Sequence, residues 1–539
     1  MNQRKWALIS VYDKTGVVED ARRLVALGWE IISSGGTAKV LKEAGIVVKD
    51  VAELVGGGAI LGHRVVTLSR EVHAGLLADA SKAEDLAELV SLNIPFIDFV
   101  RCDFYPLQQT ITVPKATIDS VVEKTDIGGP CMVRSAAKGL RIVVCRKEDM
   151  EPVLLELEAN GEVLYETRQE LRARAEYEVA RYVGHSAVYH SGGRFQNISG
   201  ERVAVPLYGE NGHQNPAGLY SAGTNDPLSL DKFQVIEGKA PSYNNWCDLD
   251  RLLQTLTHMA TGYMLNFGRV PAVGVGVKHG NPCGAAFGFN PDATVSAVAR
   301  GDLRAIFGGS LIFNFPINGE LAETLGEDAA ADGQSKQLFD CVVAPSFDED
   351  AVAVFKRRSD KCRLIINPAL CGNPGFLDFA PRFRYVRGGF LKQPNYEYVL
   401  DIGDPELKIF GPSNERAQKD LILAWAVGCT SNSNTITIAN NGMLLGNGVG
   451  QQDRVGAAEL AIKRSIDAGH KKELIGSVAY SDSFFPFPDA VEVLIRAGVG
   501  AIFSTSGSIN DGKVQELCVK RGVTLFQLPD KKARGFFGH

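Results

Sequence analysis

The chain has 539 residues, of which 45% are hydrophobic and 22% charged, with a net charge of −6. That length calls for about two to four domains, and the mix is that of a soluble globular protein. The acidic balance excludes a general pull towards nucleic acid or anionic membranes, so any phosphate site has to be local.

In chain order, "WALISVY" reads as a buried strand and "GVVEDARRLVALG" as a helix closed by Gly28. "WEIISSGG" is a second strand running into a polar turn, "TAKVLKEAG" the next helix and "FIDFVRCDFYP" a later strand. This alternation predicts a parallel α/β sheet with ligands at the carboxyl ends of its strands. A charged helical stretch from "EDMEPVLLELEANG" to "TRQELRARAEYEVARYVG" closes the unit, and the polar, glycine-rich "HSGGRFQNISGERVAVP" marks a boundary near residue 200. Two domains, 1–199 and 200–539, are therefore expected. Beyond the boundary, "LDRLLQTLTHMATGYML" predicts a helix and "RVPAVGVGVKHGN" a strand entering a turn. "LIFNF", "CVVAP", "CRLIIN", "TITIAN", "GSVAYSD", "GAIFSTSG" and "VTLFQL" are further short strands, enough α/β for two subdomains. No short-period repeat stands out.

The ten cysteines form no C-x-x-C pair, which excludes a zinc knuckle or a thioredoxin motif. No secretory leader and no apolar run of about 18 residues is read, so a cytoplasmic protein with reduced thiols is expected.

Several turns carry chemistry. "SVYDKTG" (Ser10–Gly16) and "SSGGT" (Ser33–Thr37) follow strands and hold hydroxyls, glycines and Lys14, a set suited to a phosphate; ordinary strand-to-helix turns with a capping residue read the same way. In "TDIGGPCMVRSAAKG", Asp126 precedes two glycines, and Arg134 and Lys138 share one helix face. Asp126 suits proton relay; a helix cap beside a solvated basic face is the plainer alternative.

"GVGVKHGNPCGAAFG" packs Lys278, His279, Asn281 and Cys283 into six residues. The zinc-deaminase pattern pairs H-x-E with P-C-x-x-C, and no second cysteine follows Cys283 here, so Cys283 reads as a small buried residue. Lys278 and His279 leave a strand consecutively and would point to opposite sides unless the turn rotates one. His279 suits a general base towards a weak amine nucleophile, and "NPCG" is read as the turn that aims the pair. A capping histidine with a solvated lysine is the alternative. "SNSNT" leads to the glycine-rich "GNGVGQQDR", and "SDSFFPFPDAVE" sets three phenylalanines and two prolines between aspartates, a wall for a flat ring or a plain core corner.

Taken in order from "ALISVYDKTG" to "ARGFFGH", these words, with "YGENGHQ", "SYNNWCD" and "FGGSLIFN", resemble the bifunctional purine-biosynthesis family that joins AICAR (aminoimidazole carboxamide ribonucleotide) transformylase to IMP cyclohydrolase. The resemblance implies an N-terminal methylglyoxal-synthase-like parallel-sheet domain and a C-terminal transformylase of two cytidine-deaminase-like α/β subdomains without zinc. It implies formyl transfer from 10-formyltetrahydrofolate to the 5-amino group of AICAR, closure of the product FAICAR to IMP, a homodimer with sites at its interface, and no metal. It assigns Lys278, His279 and Asn434 to formyl transfer, and Tyr105, Asp126 and Lys138 to cyclisation. Lys14, Ser34, Gly36, Thr37, Arg64 and Thr67 fall at nucleotide positions of the N-terminal half; Tyr208, Asn245 and Arg534 do so in the C-terminal half. Asp340, Gln451, Phe484, Phe485 and Asp489 fall where folate or nucleotide is held.

The chain departs from the family at defined places. Val66 stands where a lysine implicated in cyclisation is usual, and Ser69-Arg70 replaces His-Pro. Leu207 replaces a phosphate arginine, Gly212 a proline, and Ala426 and Asn432 lysines. Two other readings stay open at this level: an enzyme for an AICAR-like acceptor such as a pyrazole or C-nucleoside analogue, and a non-catalytic nucleotide- or folate-binding homologue.

Overall fold

Runs of apolar residues with no alternation, such as Ala7-Leu8-Ile9, bury every side chain, so they belong in a sheet covered on both faces. The computed structural model describes residues 4–62, 64–328, 338–356, 361–375 and 377–538. They form two units, 1–199 and 200–539.

In the first unit, β1 (Lys5–Ser10), β2 (Trp29–Ser33), β3 (Val48–Asp50), β4 (Ile97–Cys102) and β5 (Ile142–Val144) make a parallel sheet in the order β3-β2-β1-β4-β5. The order reverses between β1 and β4, which opens a ligand crevice at their carboxyl ends. Helices Val17–Ala26 and Gly35–Glu43 follow β1 and β2, and neither start is capped by a side chain. The Val17 N–H donates instead to the Lys14 carbonyl at 3.3 Å. The charged stretch forms two helices, Met150–Asn160 and Tyr165–His190, separated at the left-handed Gly161.

The second unit adds a small antiparallel pair, β6 (Glu201–Ala204) with β7 (Leu219–Ser221), and then two α/β halves of the same design, the pair of subdomains that the resemblance implies. One half runs β8 (Gln234–Glu237), the long helix Tyr243–Phe267, β9 (Ala272–Lys278), β10 (Asn281–Gly288), helix Pro291–Arg300, β11 (Ser310–Phe313), β12 (Cys341–Ala344) and β13 (Arg363–Ile366). An exposed hairpin, β14 (Arg382–Val386) with β15 (Gly389–Gln393), intervenes. The other half repeats the series: β16 (Lys408–Phe410), helix Glu415–Cys429, β17 (Ile436–Asn440), β18 (Met443–Gly448), helix Arg454–Asp467, β19 (Val478–Ser481), β20 (Ala501–Ser506) and β21 (Thr524–Pro529). From the centre outwards, one half of the sheet is ordered β10-β9-β11-β12-β13-β8 and the other β18-β17-β19-β20-β21-β16. β10 and β18 pair antiparallel through Ala286 and Met443, so both halves share one 12-stranded sheet.

The two long helices share one core on one side of this sheet, with Trp425, Leu256 and Leu421 fully buried. Helices Pro291–Arg300 and Arg454–Asp467 close separate cores, one for each half.

Each half also carries the same hairpin turn. Asn281 pairs with Lys278 across His279-Gly280, and Met443 pairs with Asn440 across Asn441-Gly442. All four turn residues are left-handed, with φ of 53° and 71° in the first turn and 51° and 78° in the second. This is the two-residue hairpin geometry for which Asn-Gly is the usual sequence. It corrects the expectation for "NPCG": Asn281 to Gly284 open strand β10, and the turn is His279-Gly280. The left-handed His279 is the rotation that frees it from simple strand alternation.

Glycine at 448 is required by contact. A Cβ there would lie 2.0 Å from the Ala457 carbonyl oxygen of the helix packed on β18. Gly448→Ala should cost about 1–3 kcal/mol through overpacking and lower the second unit's melting transition by a few degrees. Gly389→Ala, where a Cβ meets nothing within 4 Å, should leave that transition in place; calorimetry of both variants checks the contrast.

Candidate active site

In the first unit the turns after β1 and β4 meet. The Tyr12 backbone N–H donates to the Asp103 carboxylate, that of Asp13 does so at 3.2 Å, and the Tyr12 ring packs edge-on against Tyr105 at 5.6 Å. Lys14 folds back, donating to the carbonyl oxygens of Val11 and Tyr12, and burial holds its pKa below the usual lysine value. Gly36 lies beside it: a Cβ there would sit 3.8 Å from Lys14 Cε. Ser34 stands at the uncapped start of helix Gly35–Glu43. The structure therefore brings Lys14, Ser34 and Gly36 together at the strand ends. Thr37 has a more internal task. Its hydroxyl is buried and exchanges hydrogen bonds with the Val11 backbone, at 3.0 Å as donor and 3.3 Å as acceptor.

The start of helix Gly128–Lys138 gathers the second group. A Cβ on Gly128 would meet the Thr67 hydroxyl at 2.8 Å, so Thr67 lies against this helix start. Asp126 accepts the Gly129 N–H at 2.9 Å, and its own N–H donates to the Tyr182 hydroxyl at 2.7 Å. Burial raises the Asp126 carboxyl above its usual value and does the same to the Tyr105 phenol. The Asp126 shift moves its carboxyl towards neutrality, the direction that suits proton relay, whereas the Tyr105 shift keeps the phenol protonated. The Lys124 ammonium lies 6.0 Å from the Tyr105 ring centroid. Val66 packs partly buried against the core, and Ser69 caps helix Arg70–Leu77 by accepting the Val72 N–H at 3.1 Å. Arg64 is paired with Glu123 at 2.8 Å, and Lys138 is exposed at the far end of its helix.

In the second unit one hydrogen-bond network ties the His279 hairpin to four other segments. The Asn432 N–H donates to Asn281 Oδ1 at 3.4 Å. Asn434 and Gln451 exchange backbone bonds at 3.1 and 3.2 Å, and Asn434 Nδ2 also donates to the Gln451 carbonyl at 3.0 Å. The buried Asp482 carboxylate accepts from Ser433 Oγ at 2.7 Å, from the Thr435 N–H at 3.1 Å and from Arg454. Arg454 Nε also donates to the Phe484 carbonyl at 3.0 Å. The Phe537 N–H closes on the Ser431 carbonyl at 2.9 Å. Lys278, His279, Asn434, Gln451 and Phe484 therefore belong to one construction.

Arg534 joins it, paired with Asp530 at 2.9 Å and placed 5.9 Å from the Phe484 ring centroid. Lys278 Nζ donates to the Phe307 carbonyl at 2.6 Å, and the Asp340 N–H to the Gly309 carbonyl at 3.0 Å, so one short strap holds both. A cavity of about 580 Å³ opens at the hairpin, lined by Lys278, His279 and Asn281 with Arg304, Lys463 and Arg464.

Other expected residues sit elsewhere. Phe485 is 1% exposed, inside the core beneath helix Asp489–Arg496. Its ring packs apolar neighbours, so the wall that can face a ligand is Phe484 with the exposed Phe487. Asn245 is buried at the start of helix Tyr243–Phe267, where its Oδ1 accepts from the Ser242 N–H and hydroxyl, both at 2.9 Å. Tyr208 is its neighbour in the fold, accepting the Tyr243 N–H at 3.3 Å through its carbonyl. Asp489 is exposed and accepts its own helix's Ala490 N–H at 2.8 Å. Cys283 is buried, which pushes its thiol up to about 12 and leaves it inert as a nucleophile.

Two charged residues went unnoticed in the sequence. Asp248 accepts the Gly280 N–H at 2.8 Å, and burial pushes its carboxyl up to about 6. Arg251 donates to the carbonyl oxygens of Thr430 and, at 3.1 Å, Phe537, and approaches Asn432 Oδ1 at 3.5 Å. It brings a cation beside Asn432. Both residues lie on helix Tyr243–Phe267 in "CDLDR", whose only sequence signal is charge inside an otherwise buried helix. Among the described residues no group of three or more His, Cys, Asp or Glu side chains is placed to hold a metal ion, and no helix is long and apolar enough to cross a membrane.

The family profile described as AICARFT/IMPCHase bienzyme matches residues 136–464, and that of the MGS-like domain matches residues 16–131. The bifunctional purine biosynthesis protein PurH of Bacillus mycoides (strain KBAB4) is 36% identical over 531 residues, covering 97% of this chain and 98% of its own. PurH of Caldicellulosiruptor bescii is 36% identical over 536 residues, and that of Listeria monocytogenes serotype 4b (strain F2365) 35% over 534, with the same coverage. A solved structure, "Crystal structure of ForH", is 32% identical over 35% of this chain and 100% of its own, at a TM-score of 0.31. With the bienzyme profile spanning more than half of the chain and these relatives aligned almost end to end, the chain belongs to the AICARFT/IMPCHase bienzyme family.

Proposed function

We propose that the chain transfers the formyl group of 10-formyltetrahydrofolate to the 5-amino group of AICAR in its second unit and closes the product, FAICAR, to IMP with loss of water in its first. The observation that carries the transfer step is the His279-Gly280 turn, which presents Lys278 and His279 at a cavity and is tied through Asn281 and Asn432 to the segment that holds Asn434. An amine on an electron-poor imidazole is a weak nucleophile and needs a base. His279 takes its proton as the nitrogen attacks the formyl carbon. The Lys278 ammonium and the Asn434 amide stabilise the oxygen that gains charge. The bond to the folate nitrogen then breaks, and that nitrogen leaves with a proton. Arg534 and Tyr208 hold the phosphate end, and Phe484 faces the flat pterin or base.

For cyclisation, Tyr105 and Asp126 act with the nucleotide held by Lys14, Ser34 and Gly36, and Lys138, exposed a helix length from Asp126, takes no direct part with them. Val66 supplies no cation, and the position of Lys124 at the Tyr105 ring supports it as the replacement.

The exposed β14–β15 hairpin, with Tyr385 81% and Leu391 61% exposed, supports a homodimer. Ten free thiols support a reducing, cytoplasmic setting. Leu207, 49% exposed where the family carries an arginine, favours a second reading in which the acceptor is an AICAR analogue with an altered phosphate end.

Incubation with AICAR and 10-formyltetrahydrofolate should yield both FAICAR and IMP; intact folate binding with neither product points to the analogue. His279→Ala should lower formyl transfer by about 10²- to 10⁴-fold, and full retained activity would remove the role given to it. Supplied with FAICAR, Lys124→Ala should form IMP about tenfold more slowly than the parent protein, and Val66→Lys should restore that rate. Unchanged cyclisation in both variants rules out Lys124 as the replacement cation. Tyr385→Asp with Leu391→Asp should shift sedimentation from dimer towards monomer, whereas an unchanged profile argues against the hairpin as the contact.

A further inference from the structure

The duplicated hairpins permit a comparison of one turn with its twin. Asp248 is the sixth residue of helix Tyr243–Phe267, and Asp420 is the sixth residue of helix Glu415–Cys429. Each sends its carboxylate to the left-handed turn of its own half. Asp420 is 1% exposed on its side chain and uses both oxygens, accepting the Asn441 N–H at 3.0 Å and the Gly442 N–H at 2.7 Å; Arg416 lies 3.9 Å away. It is a lock for the turn.

Asp248 does half of that task. One oxygen accepts the Gly280 N–H at 2.8 Å, and among the described residues no hydrogen bond engages the other. The first turn position, Asn441 in one half, is His279 in the other. The charged and titratable groups facing Asp248 are His279, Asp340 and Arg251, with the thiols of Cys247, Cys283 and Cys341 near by. No arginine stands four residues before Asp248, where Arg416 precedes Asp420; Asn244 does.

We infer that Asp248 is a positioning residue for His279, fixing the turn that carries the imidazole and supplying the negative charge that the imidazole faces. The inference rests on the general-base role given above to His279. A carboxylate there offsets the positive charge that develops on the imidazole as it takes the proton of the amine. That Asp248 itself is held partly protonated near neutrality by burial means its help grows as the pH rises through about 6.

The test is formyl transfer from 10-formyltetrahydrofolate to AICAR by the full chain, followed across pH. Asp248→Asn keeps an acceptor for the Gly280 N–H and removes the charge. It should lower kcat by about tenfold or more with little change in KM, and take out of the pH profile the rise through about 6 that Asp248 supplies. Asp248→Ala, which also loses the turn bond, should lose more. Asp420→Asn makes the same change in the twin hairpin and should leave both kcat and the pH profile as they are. A wild-type rate and profile in Asp248→Asn overturns the inference. So does an equal loss in Asp248→Asn and Asp420→Asn with an unmoved pH profile, which would make both carboxylates turn locks only. Activity retained in His279→Ala would instead sink the underlying reading. An inactive His279→Ala beside a normal Asp248→Asn sinks the inference alone.

Discussion

The antiparallel pairing of β10 with β18 is the contact on which the second unit's site depends. It sets two hairpins of one geometry side by side, and so places the segment after helix Glu415–Cys429 against the segment that carries Lys278 and His279. Asn447 Nδ2 marks the seam, donating at 3.0 Å both to the Pro282 carbonyl of one hairpin and to Ser431 Oγ of the other half. Without that alignment Asn434 and Lys278 would belong to different ends of a sheet. Both bonds of this amide are buried, which suits a site whose groups have to be held before reaction.

Around the seam, charges are compensated in depth. Asp482 is fully buried, yet it collects a hydroxyl, a backbone N–H and the Arg454 guanidinium. Removing one partner would strand the other in a dry interior, a far larger loss than the net worth of the pair. Arg251 is in the same position: burial lowers its pKa to about 10, so it stays cationic at neutral pH while bonded to two carbonyl oxygens. These groups shape the walls, while His279, exposed at the turn, is left free to meet a substrate.

Much of the scaffold was legible before any coordinates. The β1 and β2 runs, the long helix around "LDRLLQTLTHMATGYML" and the strands "TITIAN" and "GAIFSTSG" follow from unbroken apolar stretches bounded by glycine and polar turns. The exceptions have local causes. "NPCG" looked like a turn because proline and glycine usually punctuate, but Pro282 opens β10 next to the hairpin, and His-Gly, an uncommon pair, took the turn. Phe485 looked like its neighbour Phe484, and adjacent residues leaving β19 face opposite ways. The two subdomains were implied by the resemblance, but the match between their residues was not legible, because the halves share shape rather than letters: His-Gly matches Asn-Gly, and "CDLDR" matches "KDLIL". Asp248 could be seen only once its twin was known.

A left-handed backbone at position 279 has a further consequence for chemistry. Among side chains other than glycine, asparagine, aspartate and histidine are the ones that enter this conformation with least resistance. Of those, histidine alone has an ordinary pKa close to neutrality. Lysine, glutamate or tyrosine would bring a titrating group at the expense of strained geometry, and asparagine keeps the geometry without a titrating group. The hairpin's own stereochemistry thus narrows the residues available to that position almost to one, before any substrate exerts a preference.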